Sequence, residues 1–321
     1  MEAADYTRFI PRGEPVALKP NLGWDILIPG AVSAPWVVEG VILVLKDYAS
    51  ALYVVESDQV VVNVENAVRQ TRVWEICQKH GVTWVNMSKG QFVRQKDESR
   101  LALKHIHLPE ILTRTHLVTL PLMKTHNKST LTGAIKNQWG CLETLRHHFH
   151  PVLSQALVDL NSILKPKFAV MDATIGLEGN GPKSGFPKEM GLVLASGDLV
   201  ALDATAGRIM GIDPAEVEHL QLCQAHGLGT TRAEEIQVVG EDVAALRTPF
   251  LPARHNAVSG LELILRSSFM RWLTFETPVF NLMCWGARRY YDLWDALYGR
   301  KLRQNVLQNS AYAPQWTDET L

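Results

Sequence analysis

The residue types that could do chemistry crowd into positions 117–141, L-V-T-L-P-L-M-K-T-H-N-K-S-T-L-T-G-A-I-K-N-Q-W-G-C. A short apolar run delivers Lys124, His126 and Lys128, and a Thr-Gly step then leads to Lys136 and Asn137. Cationic groups this close together attract a carboxylate or a phosphate and lower one another's ammonium pKa by repulsion. A lysine neutralised in that way can act as a base or form an imine. The plainer alternative, a solvated basic loop, suits Lys128. Gly133, just ahead of a helical stretch, would let backbone N–H groups approach an anion.

Other polar groups stand at comparable places. V-A-L-K-P-N puts Lys19 and Asn21 at the tip of a strand, where the extended geometry before proline turns them outward. Leu52 to Glu56 reads as a strand ending in Glu56-Ser57-Asp58, and Lys167 to Met171 as a strand terminating in Asp172. Next comes I-G-L-E-G-N-G-P, a loop from Ile175 to Pro182 whose glycines allow close backbone approach to a ligand around Glu178, Gly179 and Asn180. Asp203 lies among small residues on a helix, either as a network group or as a site group reaching a crevice. His147, His148 and His150 form H-H-F-H, but adjacent side chains on a helix point apart, so at most two could share a face. Cys77, Cys141, Cys223 and Cys284 contain no C-x-x-C spacing, so no iron-sulfur cluster or zinc ribbon is expected.

The elements that must position these groups alternate. Strands are expected at Pro15–Lys19, Leu52–Glu56, Val82–Met87, Leu117–Pro121, Lys167–Met171, Gly191–Ala195 and Ile236–Gly240. Helices are expected at Ala34–Lys46, Val64–Lys79 with Gly81 as its stop, Pro151–Leu164, Val200–Met210 and Asp213–His226. Lys89 to His107 reads as an irregular exposed excursion. This alternation predicts an α/β fold, a mostly parallel sheet with helices on both faces, plus a C-terminal helical appendage. The polar strand ends would then lie along one edge, where open α/β sheets bind their ligands.

The chain of 321 residues is 46% hydrophobic and 20% charged with net charge −1, so composition argues for neither nucleic acid nor an acidic partner. Met-Glu-Ala-Ala-Asp lacks the features of a secretory signal, and the apolar run Pro35 to Leu45 is too short to span a bilayer. A cytoplasmic protein is the expectation. Residues 1–14 read as an N-terminal arm, 15–245 as the α/β core, 250–304 as a helical basic and aromatic region, and 305–321 as an extended tail. Within 254–304 stand eight Lys or Arg against four Asp or Glu, with helices at Phe269–Leu273 and Val279–Leu297 on either side of Pro278. Such helices can meet a membrane or a protein partner, although they more often pack on their own domain.

The segments V-A-L-K-P-N, L-P-L-M-K-T-H, G-A-I-K-N-Q-W-G-C, M-D-A-T-I-G-L-E-G-N-G-P, G-L-V-L-A-S-G-D-L-V-A-L-D-A and E-I-Q-V-V-G, in that order over about residues 15 to 240, resemble the domain of unknown function 362 family. The resemblance implies an intracellular α/β protein and carries over Lys19, Asn21, Lys124, His126, Lys136, Asn137, Asp172, Glu178, Asn180 and Asp203. Many members carry a ferredoxin-like cysteine cluster, which this chain lacks. The motif style is also distantly similar to that of the lactate racemase family, where lysine and histidine serve a nickel-pincer cofactor.

The leading expectation is an enzyme acting on a small anionic, carboxylate-bearing substrate by proton transfer, as an isomerase, racemase or lyase. His126, Lys136, Lys124 and Asp172 are the catalytic candidates. Lys19, Asn21, Asn137, Gly179 and Asn180 are the substrate-binding candidates. Glu178 and Asp203 are candidate ligands should a divalent metal take part. The alternatives are a redox protein with an unadvertised cofactor or a separate iron-sulfur partner, and a non-catalytic module that binds a membrane or a protein partner.

Overall fold

The computed structural model describes residues 1–143, 146–253 and 279–317. Its centre is a sheet in which β1 (Pro15–Lys19), β2 (Ala51–Glu56), β3 (Thr83–Asn86), β6 (His116–Thr119) and β9 (Phe168–Glu178) run parallel in the order β3-β2-β1-β6-β9. Two antiparallel strands complete it: β10 (Phe186–Ser196) along β9, and β8 (Thr130–Thr132) along β7 (Leu122–His126). A separate hairpin, β4 (Phe92–Lys96) with β5 (His105–Pro109), replaces the irregular excursion expected over 89–107.

Apolar residues alternate along these strands and serve both faces of the sheet. Phe168 and Val170 join Val16, Leu18, Val54 and Val118 in one core, whereas Ala169, Met171 and Ala173 join another. Side chains on a strand point alternately to opposite faces, so a sheet covered on both sides needs apolar residues in both registers. The first core is closed by α1 (Pro35–Leu45), α2 (Val64–Gln70) and α3 (Val73–His80), the second by α5 (Leu153–Leu164), α6 (Leu199–Ile209) and α7 (Glu218–Ala225).

Local signals account for the helix ends. Pro35 opens α1, where its missing N–H is no loss. Asn63 caps α2 by accepting from Glu65 and Asn66 N–H, and Asp198 caps α6 by accepting from Ala201 N–H. Gly81, at φ +64°, ends α3 in the left-handed conformation that glycine adopts without strain. The single helix expected over 64–79 is broken at Thr71-Arg72, where Arg72 itself has φ +61°.

Four further expectations are corrected. Lys124 and His126 lie on a strand rather than in a loop, because 116–126 is one strand interrupted at Leu120-Pro121. Its first half pairs with β1 and β9; its second half stays on β9 and takes β8 on its other edge. The glycine-containing stretch from Ile175 is extended as far as Glu178, because β10 pairs with it. Residues 236–240 form no strand. From 279 to 317 the chain is mostly helical, α8 (Val279–Trp294), a wide turn at Asp295–Gly299, α9 (Arg300–Asn309) and α10 (Ala313–Thr317) following one another, so the described part of the tail beyond Asn305 is not extended. The helix expected at Phe269–Leu273 lies outside the described residues. None of the described helices is long and apolar enough to cross a membrane.

Candidate functional site

Because β7 leaves β1 after Pro121, the ends of β1 and β7 diverge, and the residues beyond them meet around a shared cleft. Lys19 closes β1 and Glu56 closes the neighbouring β2, and their side chains form a buried ion pair at 2.8 Å. Glu56 also accepts from Ser57 N–H at 3.0 Å. Gly140 lies against the pair, and a Cβ there would stand 2.7 Å from Lys19 Nζ and 2.5 Å from Glu56 Oε1, so a side chain at that position would have to displace the pair.

A chain of amides fixes the next cation. Asn137 Nδ2 donates to Lys19 O at 3.0 Å and to Thr119 Oγ1 at 2.8 Å, which leaves Asn137 Oδ1 to accept from Asn21 Nδ2 at 3.0 Å. Asn21 Oδ1 thereby faces Lys124, whose Nζ donates to it and to Ala31 O, both at 3.0 Å. Burial, together with the nearby charges of Lys136, Lys183 and Lys19, holds Lys124 well below the usual lysine range. A neutral amine has two N–H groups, and the two acceptors use both. Lys124 also lines the cleft.

The cleft encloses about 500 Å³ including its open mouth. Lys19, Lys124, Lys136, Arg146 and Lys183 line it against a single carboxylate, Glu56, which Lys19 already neutralises. Arg146 is buried and donates to Ser57 Oγ at 3.1 Å and to Leu142 O at 2.8 Å, both neutral acceptors. Lys136 Nζ has no hydrogen bond or ion pair among the described residues, and burial beside Arg146 and Lys19 lowers it to about 8. Thr132 Oγ1 also lines the cleft, buried and without a hydrogen-bond partner. Buried polar atoms are nearly always paired, so an unpaired hydroxyl beside unpaired cations marks a place for a ligand.

The remaining sequence candidates reach the same edge of the sheet but are committed elsewhere. His126 is buried, its Nδ1 accepts from Lys128 N–H at 3.0 Å, and burial and the charge of Lys136 keep the ring neutral; it does not line the cleft. Asp172 accepts from Ala34 N–H at 2.9 Å at the start of α1 and from Thr174, and burial raises its pKa. Asp203 accepts from Ala134 N–H at 2.6 Å and Ile135 N–H at 2.9 Å, the opening donors of the short helix α4 (Ala134–Asn137). The anion seat expected after Gly133 is therefore filled by the chain's own carboxylate. Gly133 is needed there because a Cβ would collide with that carboxylate.

Glu178 pairs with Lys188 at 2.8 Å and accepts from Leu251 N–H at 3.0 Å. Glu178 and Asp203 share no partner, and no group of three or more His, Cys, Asp or Glu placed to hold a metal occurs among the described residues. These donors do not fit a divalent metal, and the cleft's positive balance would repel one. Gly179 donates to Leu251 O at 2.8 Å, and its own carbonyl accepts from Thr125 Oγ1 at 2.9 Å. Neither it nor Asn180 lines the cleft, which is reached instead by Pro182 and Lys183 of the same loop.

Sequence reasoning placed Lys19, Asn21, Lys124, Lys136 and Asn137 together, and the structure brings them together. It missed Arg146, Lys183 and Thr132 as cleft residues. Lys183 directly follows the Gly-Pro end of a motif that had been singled out, which is the one signal that could have found it.

A family model described as Domain of unknown function (DUF362) matches residues 16–208. Among curated proteins, the thylakoid-associated protein sll1697 of Synechocystis sp. (strain ATCC 27184 / PCC 6803 / Kazusa) is 26% identical over 237 residues, which is 70% of this chain and 72% of that protein. Among solved structures, the lactate racemase apoprotein from Thermoanaerobacterium thermosaccharolyticum is similar over 70% of this chain, with a TM-score of 0.42 and 8% identity. This chain covers 50% of that racemase chain.

Proposed function

The chain belongs to the Domain of unknown function (DUF362) family, and from that premise we propose that it is an enzyme acting on a small anionic, carboxylate-bearing substrate by proton transfer, as an isomerase, racemase or lyase. The observation that carries this reading is Lys124: a buried amine at the cleft wall with two neutral hydrogen-bond acceptors, and the unpartnered Lys136 lining the same cleft. Lys136 and Arg146 hold the substrate carboxylate. Lys124, neutral in the resting protein, accepts a proton from the carbon beside it. The ammonium so formed is held by Asn21 Oδ1 and Ala31 O, and delivering the proton to a neighbouring carbon of the delocalised anion completes an isomerisation. The positive charges around the cleft stabilise the negative charge that develops on the substrate.

Solvent exchange tests this directly. Candidate 2-hydroxy, 2-amino and 2-oxo carboxylates are incubated with the protein in D2O and followed by proton NMR. The expected result with wild type is loss of the C2 proton signal of a 2-hydroxy or 2-amino acid, or of the C3 proton signal of a 2-oxo acid, and its persistence with Lys124→Gln, a variant that still binds the acid. Equal exchange by Lys124→Gln would sink the reading.

A second reading concerns where the enzyme works. Leu282, Trp285, Leu293 and Leu297 are each more than half exposed and recur along one side of α8 and the turn after it, next to the exposed Arg289, Arg300 and Lys301. An apolar ridge bordered by cations suits a peripheral contact with an anionic membrane, and the related Synechocystis protein is described as thylakoid-associated. The full chain should sediment with vesicles of anionic lipid, and the double variant Leu282→Ser/Trp285→Ser should not. Equal sedimentation of the two would remove this reading.

A further inference from the structure

Lys183 is a second cation of the cleft that forms no ion pair among the described residues, although the charge of Asp25 acts on it, and its surroundings differ from those of Lys136. Its Nζ stands 4.5 Å from the ring centre of Trp24 and 5.5 Å from that of Tyr291, and it has no hydrogen bond or ion pair among the described residues. The acid next to Trp24 in sequence, Asp25, is already spent: Arg288 NH1 binds its two oxygens at 2.7 and 2.9 Å. Aromatic faces offset only part of the cost of burying an ammonium.

The two unpaired amines belong to separate walls. Lys136 is carried by the short helix that follows β8, and Lys183 by the loop that follows β9. Both charges act on Lys124. A ligand with a single carboxylate would neutralise one wall and leave the other uncompensated. An ion pair buried from water is favourable only when both partners are satisfied.

Resting on the reading of the cleft as an anion site, we infer that the substrate carries a second anionic group, a carboxylate or a phosphate, that docks on Lys183 while the first is held by Lys136. The substrate class is then a compact dicarboxylate or a phosphorylated carboxylic acid rather than a simple monocarboxylate. The Lys183 ammonium rests against the faces of Trp24 and Tyr291 at the cleft wall, so it is held in place before a ligand arrives and has little freedom to lose on binding.

Calorimetric titration of the full chain near pH 6.5, where Lys183 is charged, tests this with butyrate, succinate and 3-phosphopropionate as a matched series. A charge-assisted contact corresponds to roughly ten- to hundredfold in affinity, so succinate or 3-phosphopropionate should bind at least about tenfold more tightly than butyrate. Which of the two binds better identifies the second group. Lys183→Met should remove that advantage, weakening succinate and 3-phosphopropionate much more than butyrate, and Lys183→Arg should retain it. Equal affinities across the series in wild type, or a loss in Lys183→Met that is the same for all three acids, would overturn the inference. Failure of all three acids to bind would instead sink the anion site itself, and the inference with it.

Discussion

Lys19 and Glu56 end adjacent parallel strands and meet in an ion pair of 2.8 Å, with Gly140 packed against both. Neither side chain reaches water, so each depends on the other. Glu56→Gln should cost about 3–5 kcal/mol because it strands a buried ammonium, whereas the double variant Lys19→Met/Glu56→Leu should recover most of that loss. Urea unfolding of the three proteins measures it. Equal stability of Glu56→Gln and wild type would contradict the pairing.

The affinity of the cleft for an anion should depend on pH. Lys136 titrates at about 8 and Lys183 at about 7, each lowered first by burial. Both are charged below those values, so anion affinity is full in weak acid and declines as pH climbs through 7 and then 8. Turnover needs the opposite state at Lys124, which must be neutral. A bell-shaped profile follows, its alkaline limb set by the substrate-holding cations, Lys183 first and then Lys136. Lys136→Arg cannot deprotonate in this range, so anion binding should persist at higher pH. An unmoved alkaline limb in that variant would assign the limb to another group.

Asp203 predicts a dependence of stability on pH. Burial raises its carboxyl from 3.8 to about 7. Between those values the folded protein holds a proton that the unfolded chain has released, so this group's contribution to stability falls as pH rises, by at most about 1.4 kcal/mol per pH unit. Asp203→Asn does not titrate. The stability of wild type minus that of the variant, followed by urea midpoints from pH 4 to 8, should therefore decrease across that window, and a constant difference would refute it. Gly133→Ala should also destabilise the protein, because its Cβ would meet the same carboxylate.

The C-terminal helix α8 is tied to the cleft's rim by Arg288 on Asp25 and by Tyr291, whose ring is 4.9 Å from that of Trp24. Arg288→Ala leaves the buried Asp25 without its counterion and should cost about 2 kcal/mol. Hydrogen exchange should locate the loss in 279–294 while the parallel strands stay protected. Uniform deprotection of the whole chain would mean that the helix is part of one cooperative unit with the sheet.

The sequence by itself determined the alternation of strands and helices, the double-sided sheet, and the fact that Lys19, Asn21, Lys124 and Asn137 gather at one edge. Those features follow from local periodicity and from the direction of parallel strands, both of which can be read within a few residues of each position. Only the tertiary structure decided which charges are spent and which are free. Glu56 is consumed by Lys19, Asp172 by the backbone ahead of α1 and Asp203 by the start of α4, while Lys136 and Lys183 form no ion pair among the described residues. The same holds for Lys124, which the local pattern put in a loop and strand pairing put on β7. Whether a lysine is a solvated surface group or an amine poised to take a proton depends on partners far away in the chain, such as Asn21 and Ala31 for Lys124. Long-range pairing leaves no periodic trace in the sequence, because the partner's distance along the chain is set by how the intervening elements pack.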